Sequence, residues 1–236
     1  HVGKASGTVA KTISAYDMSV SDAIYGTAER YVSRKRLQAM LDLEFDLLLK
    51  RLDPVRGERS AFFAYADTVA TKPISRPGEE GGQGWLGIKF QATTRSEPST
   101  IIIHVRLLDW DTPRQQEVAG LIGVNLIHGA FYQHADPALL IGSLLDGLTT
   151  QRVEVDMIKF SGPAFAGVDN RLMALQLVEQ WLTEAAMFTA NGESIIPGEL
   201  LYKKPVLLER GSFRPLTNPM LDMLERAQEK FVAEPT

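Results

Sequence analysis

The chain has 236 residues, a formal net charge of −4 and no cysteine. This length suits one large domain and can bury a core without cross-links. Zero cysteines exclude disulfides, iron–sulfur clusters, thiolate zinc sites and cysteine nucleophiles, and the near-neutral balance offers nucleic acid no electrostatic footprint. No apolar run reaches the roughly 18 residues of a membrane-spanning helix, so a membrane partner is not expected. The N-terminus lacks the basic, apolar and small-residue order of a signal peptide, which predicts a cytoplasmic protein. The chain starts at His1 and stops at Glu234-Pro235-Thr236, just after a helical pattern. We read it as a fragment or trimmed product of a longer protein.

Residues 1–32 are polar and small, without sustained apolar period, and are read as an extended arm with a short helix near Ser19–Tyr25. Residues 33–236 are read as a single α/β domain. Ser33 is an N-cap candidate, followed at helical spacing by Leu37, Met40, Leu41, Leu48 and Leu52. Asp53-Pro54 and Gly57 end this amphipathic helix, which suits core packing or dimerisation. Three strands follow: Ala61–Ala70, Trp85–Thr94 with Leu86, Ile88 and Phe90 on one face, and Ile101–Asp109. In the last, Ile101, Ile103, Val105 and Leu107 face one way, His104 and Arg106 the other. The loop with Pro73, Pro77, Gly78, Gly81, Gly82 and Gly84 is read as a mobile surface loop. It carries no phosphate-cradling P-loop spacing.

From Pro113 a helix runs to about Tyr132, and a second follows Asp136-Pro137 to about Leu148. Arg152–Phe160 reads as a strand and Asn170–Leu182 as a mostly buried helix. Ala185–Thr189 is a short strand, Asn191-Gly192 a turn, Pro205–Arg210 a strand, and Asn218–Val232 a final amphipathic helix. This alternation predicts an α/β fold: a mixed, largely parallel sheet flanked by helices, with antiparallel strands from the first half and the N-terminal extended arm.

Ligands of open parallel sheets bind beyond the carboxyl ends of the strands, which marks three loops. In the first, Asp109 and Asp111 can orient a hydroxyl or bind a metal, or Asp111 and Thr112 can simply cap the next helix. The second runs from Ser161 to Asn170, behind Lys159. Gly162 lets backbone approach a ligand, and Asp169 and Asn170 stand at a helix start that favours anions. A purely structural connection reads equally well. The third holds Arg210, Gly211, Ser212, Arg214 and Thr217 ahead of a helix, a phosphate or carboxylate pocket unless the arginines serve structural ion pairs. A secondary pocket candidate is the polar stripe Glu117, Asn125, His128 and Tyr132, with His128 as acid or base; the same stripe also suits a solvent-exposed helix face. Gly120, Gly123 and Gly129 on that helix predict close backbone packing. The six-residue spacing of His128 and His134 does not match a helical metal pair, so no metal site is assigned, and no cofactor is identified.

The strings KTISAYDMSVSDAIYG, GWLGIKFQ, RVEVDMIKFSGPAFAGVDNRLM and LYKKPVLLERGSFRPLTNPMLDML resemble a family of bacterial and plant proteins without an established activity. The family is often labelled nicotinamide mononucleotide adenylyltransferase or, less sensibly, TonB-dependent receptor. Its members are longer, and this chain resembles their N-terminal half. The receptor label implies an outer-membrane barrel of many alternating strands, which the α/β pattern does not supply. The adenylyltransferase label implies a strand, a GxFxPxTxxH-like string and a helix. Gly211, Ser212, Phe213, Pro215 and Thr217 match, with Leu221 and Met223 following. Met220 stands where the family motif has its second histidine, which stabilises the transferring phosphoryl groups. The resemblance therefore implies a phosphate-type turn with an incomplete adenylyltransferase-like motif. Two functions are expected. One is a small-molecule or nucleotide-binding α/β protein using the Arg210–Thr217 segment and the Ser161–Asn170 loop. The other is a non-catalytic homo-oligomer built through the arm and the Ser33–Asp53 helix.

Overall fold

The computed structural model describes residues 7–76, 81–201 and 204–233. Pro77 and Gly78 of the glycine-rich loop, and the last residues of the chain from Glu234, lie outside them. The chain divides into two units, His1–Ser194 and Ile195–Thr236.

In the first unit, α1 (Met18–Tyr25) and α2 (Arg34–Arg56) precede β1 (Phe63–Ala70), β2 (Gly82–Phe90) and β3 (Ser99–Leu107). Helices α3 (Thr112–Tyr132) and α4 (Pro137–Ser143) then lead to β4 (Val153–Ser161) and α5 (Asn170–Glu179). The sheet order is β1-β2-β3-β4, and every neighbouring pair is antiparallel.

The expected largely parallel sheet is therefore wrong, and the reason lies between β3 and β4. A single crossover helix carries the chain back once, so the next strand runs parallel. Here α3 runs down the sheet, and α4 with its following turns runs back up. Two traverses return the chain to the end where β3 stopped, and Leu108 N–H donates to the Arg152 carbonyl at 2.9 Å. Strand β4 must then descend antiparallel to β3.

The two sheet faces are covered differently. Leu86, Ile88, Ile101, Ile103, Val105, Val155 and Ile158 form the main core with Val118, Ile122 and Leu126 of α3, Leu140 and Ile141 of α4 and Leu177 of α5. Leu37, Leu41 and Phe45 of α2 are buried on the opposite face, at roughly 2 kcal/mol of stabilisation each. Gly87 allows this approach: a Cβ there would lie 3.0 Å from Leu41 Cδ1 and 3.1 Å from the Ile101 carbonyl oxygen.

Caps start the helices where the side chains can accept. Ser33 receives Arg36 N–H, Asp111 receives Arg114 N–H, Asp136 receives Leu139 N–H and Asp169 receives Arg171 N–H. The N-terminal arm is tied to its own chain. Arg36 Nη2 lies 2.8 Å from Asp22 Oδ1, Tyr31 Oη donates to Asp22 Oδ2, and Tyr25 Oη donates to Glu44 Oε1. Lys11 Nζ pairs with Glu44 Oε2 at 2.6 Å.

A ribbon of β5 (Met187–Phe188) and β6 (Ser194–Ile195) turns through Gly192, at φ 79°. The second unit continues with α6 (Pro197–Leu200) and α7 (Asn218–Ala233). Residues 204–217 form no strand. The Pro205–Arg210 strand expected from its apolar run is absent: Pro205 cannot donate to a ladder, and Val206, Leu207 and Leu208 stay exposed without a partner strand.

Candidate functional site

The third loop, expected as a strand–turn–helix pocket, is an exposed segment without its strand. Arg210, Gly211, Ser212, Arg214 and Thr217 are all exposed, and the Thr217 carbonyl accepts from Met220 and Leu221 to open α7. A βα phosphate turn needs a strand end to aim its amides, and the described residues here supply none.

In the second loop, the polar groups serve the fold. Gly162, at φ 94°, leaves no room for a side chain, because a Cβ would lie 2.6 Å from Ser99 Cα. Asn170 Oδ1 accepts from Phe160 N–H at 2.7 Å, and its Nδ2 donates to the Phe160 carbonyl at 3.0 Å, pinning the end of β4. Asp169 is held by Arg171, whose hydrogen bonds to it depress its carboxyl to a pKa of about 2. Ser161 and Lys159 are exposed at the strand end.

In the first loop, Asp111 caps α3, and Asp109 belongs to a clasp. Arg152 lies within 2.8 Å of both Asp109 Oδ2 and Glu117 Oε2, and these two hydrogen bonds raise its already high pKa. Buried Gln115 donates to the carbonyls of Lys72 and Asp109 and accepts from Lys72 N–H. The clasp joins β3, α3 and β4 at one sheet end and leaves its acids engaged.

Among the described residues, the polar stripe of α3 lines neither of the two surface grooves described below. Asn125 donates to the carbonyls of Leu144 and Asp146 and holds the return from α4. His128 and Tyr132 are exposed, with ring centroids 4.8 Å apart.

Sequence reasoning passed over one polar pair. His104 Nδ1 lies 2.6 Å from Asp156 Oδ1, and the two side chains are 3% and 12% exposed. The β3–β4 register shifts between His104 and Val105, leaving Asp156 as the extra residue beside His104, and Trp85 lies over the imidazole at 4.8 Å. The signal was a slipped alternation: the inward residues of β4 run Val153, Val155 and then Ile158, Phe160. A histidine this enclosed is placed to hold the bulge.

The outer helical layer exposes several large apolar side chains. Leu121, Val124 and Tyr132 on α3, Leu139 on α4 and Leu172 and Leu175 on α5 are exposed. Trp181 is 81% exposed and closes α5 at φ 63°, a left-handed position where glycine is usual. No Asp, Glu, Lys or Arg occurs between Glu117 and Asp136. Isolated exposed apolar residues are ordinary, but a helix stretch with several of them and no charge, as on α3 after Glu117, has the composition of an interface core.

Two shallow surface grooves, about 510 and 640 Å³, lie between α4 and the C-terminal end of α5 and beside the C-terminal end of α2. Neither holds the predicted phosphate or acid–base residues. Among the described residues, no three His, Asp or Glu side chains gather as a metal site, and no helix is long and apolar enough to cross a membrane. No protein-family model, curated protein or solved structure matches the chain.

Proposed function

We propose that this chain is a non-catalytic assembly protein that binds a second copy of itself through the outer face of the α3–α5 layer. The observation that carries the reading is the outward face of α3 beyond Glu117, which carries no charged residue through Tyr132 and on which Val124 and Tyr132 are 64% and 79% exposed. A solvated helix face normally carries charges. This one instead offers aliphatic and aromatic side chains that gain by leaving water. The choice of occupant follows from the same composition, since the uncharged stretch meets its own copy without like-charge repulsion. The extended arm, the expected oligomerisation element, is occupied within its own chain by the Asp22–Arg36 and Lys11–Glu44 pairs.

Light scattering on the purified chain tests the reading. The expected mass is a multiple of 26.1 kDa, falling to one copy in Val124→Glu with an unchanged circular dichroism spectrum. A wild type that runs as a single copy, or a Val124→Glu oligomer of unchanged mass, overturns it. A thermal-shift screen with nucleotides, nicotinamide compounds and sugar phosphates addresses the ligand-binding alternative. No shift is expected. A shift lost in Arg210→Ala/Arg214→Ala would favour the phosphate pocket instead.

A further inference from the structure

Resting on that assembly reading, we infer that two copies pair α3 against α3, antiparallel, about a two-fold axis beside Val124. At 100° per residue, Arg114, Glu117, Leu121, Val124, His128 and Tyr132 share the outward sector of α3. The opposite sector, with Val118, Ile122, Leu126 and Gly129, is buried.

The glycines locate the contact. A Cβ on Gly123 would lie 2.5 Å from Tyr65 Oη, and one on Gly129 would lie 2.9 Å from Leu140 Cγ, so both are consumed by packing within the chain. Gly120 has nothing within 4 Å of its would-be Cβ. It leaves a notch in the outward face beside Leu121 and Val124, where a facing side chain can seat.

Charge then selects the direction. The face is bounded by Arg114 at its start and Asp136 just past its end, both exposed. Parallel pairing would set Arg114 against Arg114 and Asp136 against Asp136. Antiparallel pairing sets each Arg114 near the partner's Asp136, twice over. Arg114 is free to turn outward, because its contact with Asp111 in the same chain is a long 3.5 Å pair on the surface. The stripe is also symmetric about a point midway between Val124 and Asn125. With the axis there, Leu121 faces the partner's His128, and Tyr132 faces the partner's Glu117, whose carboxylate can accept from the phenol. Each contact of one copy is repeated by the other, as a closed two-fold interface requires.

Because the native chain has no cysteine, single introduced thiols report the geometry. Under mild oxidation, Val124→Cys is expected to form a covalent dimer, seen by mass on a non-reducing gel. Leu121→Cys is expected to lag well behind, because across this axis its two copies are separated by roughly 10 Å along the helices, beyond disulfide reach. Mixing Leu121→Cys with His128→Cys should restore cross-linking. Arg114→Glu should raise the dimer Kd about tenfold by turning two rim attractions into repulsions. Adding Asp136→Asn, which keeps an N-cap on α4, should recover part of that loss. Equal cross-linking of the 121 and 124 thiols would overturn the antiparallel pairing in favour of a parallel one. No cross-link at 124, in a protein that Val124→Glu still converts to single copies, would overturn this geometry while leaving the assembly reading in place. An oligomer indifferent to Val124→Glu would remove the assembly reading itself.

Discussion

Removing the Asp156 carboxylate should cost far more than an ordinary surface hydrogen bond, because His104 has nowhere else to turn. The imidazole is 3% exposed, lies 2.6 Å from Asp156 Oδ1 and is covered by Trp85. Orphaning a buried neutral donor costs about 1–3 kcal/mol, and breaking a buried charged pair costs about 3–5 kcal/mol. Asp156 is 12% exposed, so water reaches part of its carboxylate, and we expect Asp156→Ala to lose about 2–4 kcal/mol. His104→Leu strands the carboxylate instead and should lose a similar amount. The double variant leaves no orphan, and its loss should fall short of the sum by at least about 1.5 kcal/mol. The assay is urea unfolding with linear extrapolation, comparing midpoints at a common slope. Additivity within about 0.5 kcal/mol would refute the reasoning and mean that the two side chains do not depend on one another.

The α3 glycines make a paired prediction. Gly123→Ala drives a methyl into Tyr65 and should destabilise by about 1–3 kcal/mol, whereas Gly120→Ala meets open space and should raise the melting temperature of a Val124→Glu single-copy background. Tyr25 gives an alkaline signature. Burial, then its hydrogen bond to Glu44, then the Glu44 charge, push its phenol up to about 12. The raised value means its contribution is complete below pH 10 and is lost as pH rises through about 12; Tyr25→Phe should flatten that part of an alkaline unfolding curve. Deleting residues 1–30 removes Asp22 from Arg36 and should lower the melting temperature, yet leave the light-scattering mass at the same number of copies. A drop to one copy would return the assembly role to the arm.

Much of the local architecture was readable because it is locally caused. Ser33 accepts from a backbone amide as a cap, and the alternation of Ile101, Ile103, Val105 and Leu107 marks the core face of β3. The direction of β4 was not readable in the same way. A strand–helix–helix–strand order leaves open whether the second helix returns the chain, and that depends on how α4 packs between α3 and α5. The Arg210–Thr217 string shows the opposite failure. Its residue types suit an oxyanion, but a phosphate turn is made by the strand that aims it, and Pro205 with three exposed apolar residues makes no ladder. Asp156 was hidden by a register effect. Two strands read separately place both Asp156 and His104 on the polar side, and only the pairing register of β3 with β4 shows that they meet, with Asp156 as the extra residue of a bulge.

The sheet edges sharpen the argument for a helical interface. An antiparallel sheet of four strands offers two edges, and adding a strand from another copy is another way to build an oligomer from such a fold. Here both edges are discouraged. On β4, Val155 N–H already donates to the Leu182 carbonyl, and Glu154, Asp156 and Lys159 alternate along the strand. On β1, Thr68 is engaged with the Tyr31 carbonyl, and Asp67 interrupts the run between Tyr65 and Val69. Charges and prior hydrogen bonds on an edge are devices against strand addition. The α3 face beyond Glu117 has the reverse character: no charge through Tyr132, a notch at Gly120 and aliphatic side chains in water. With strand addition discouraged at both edges, the proposed association rests on the α3 face.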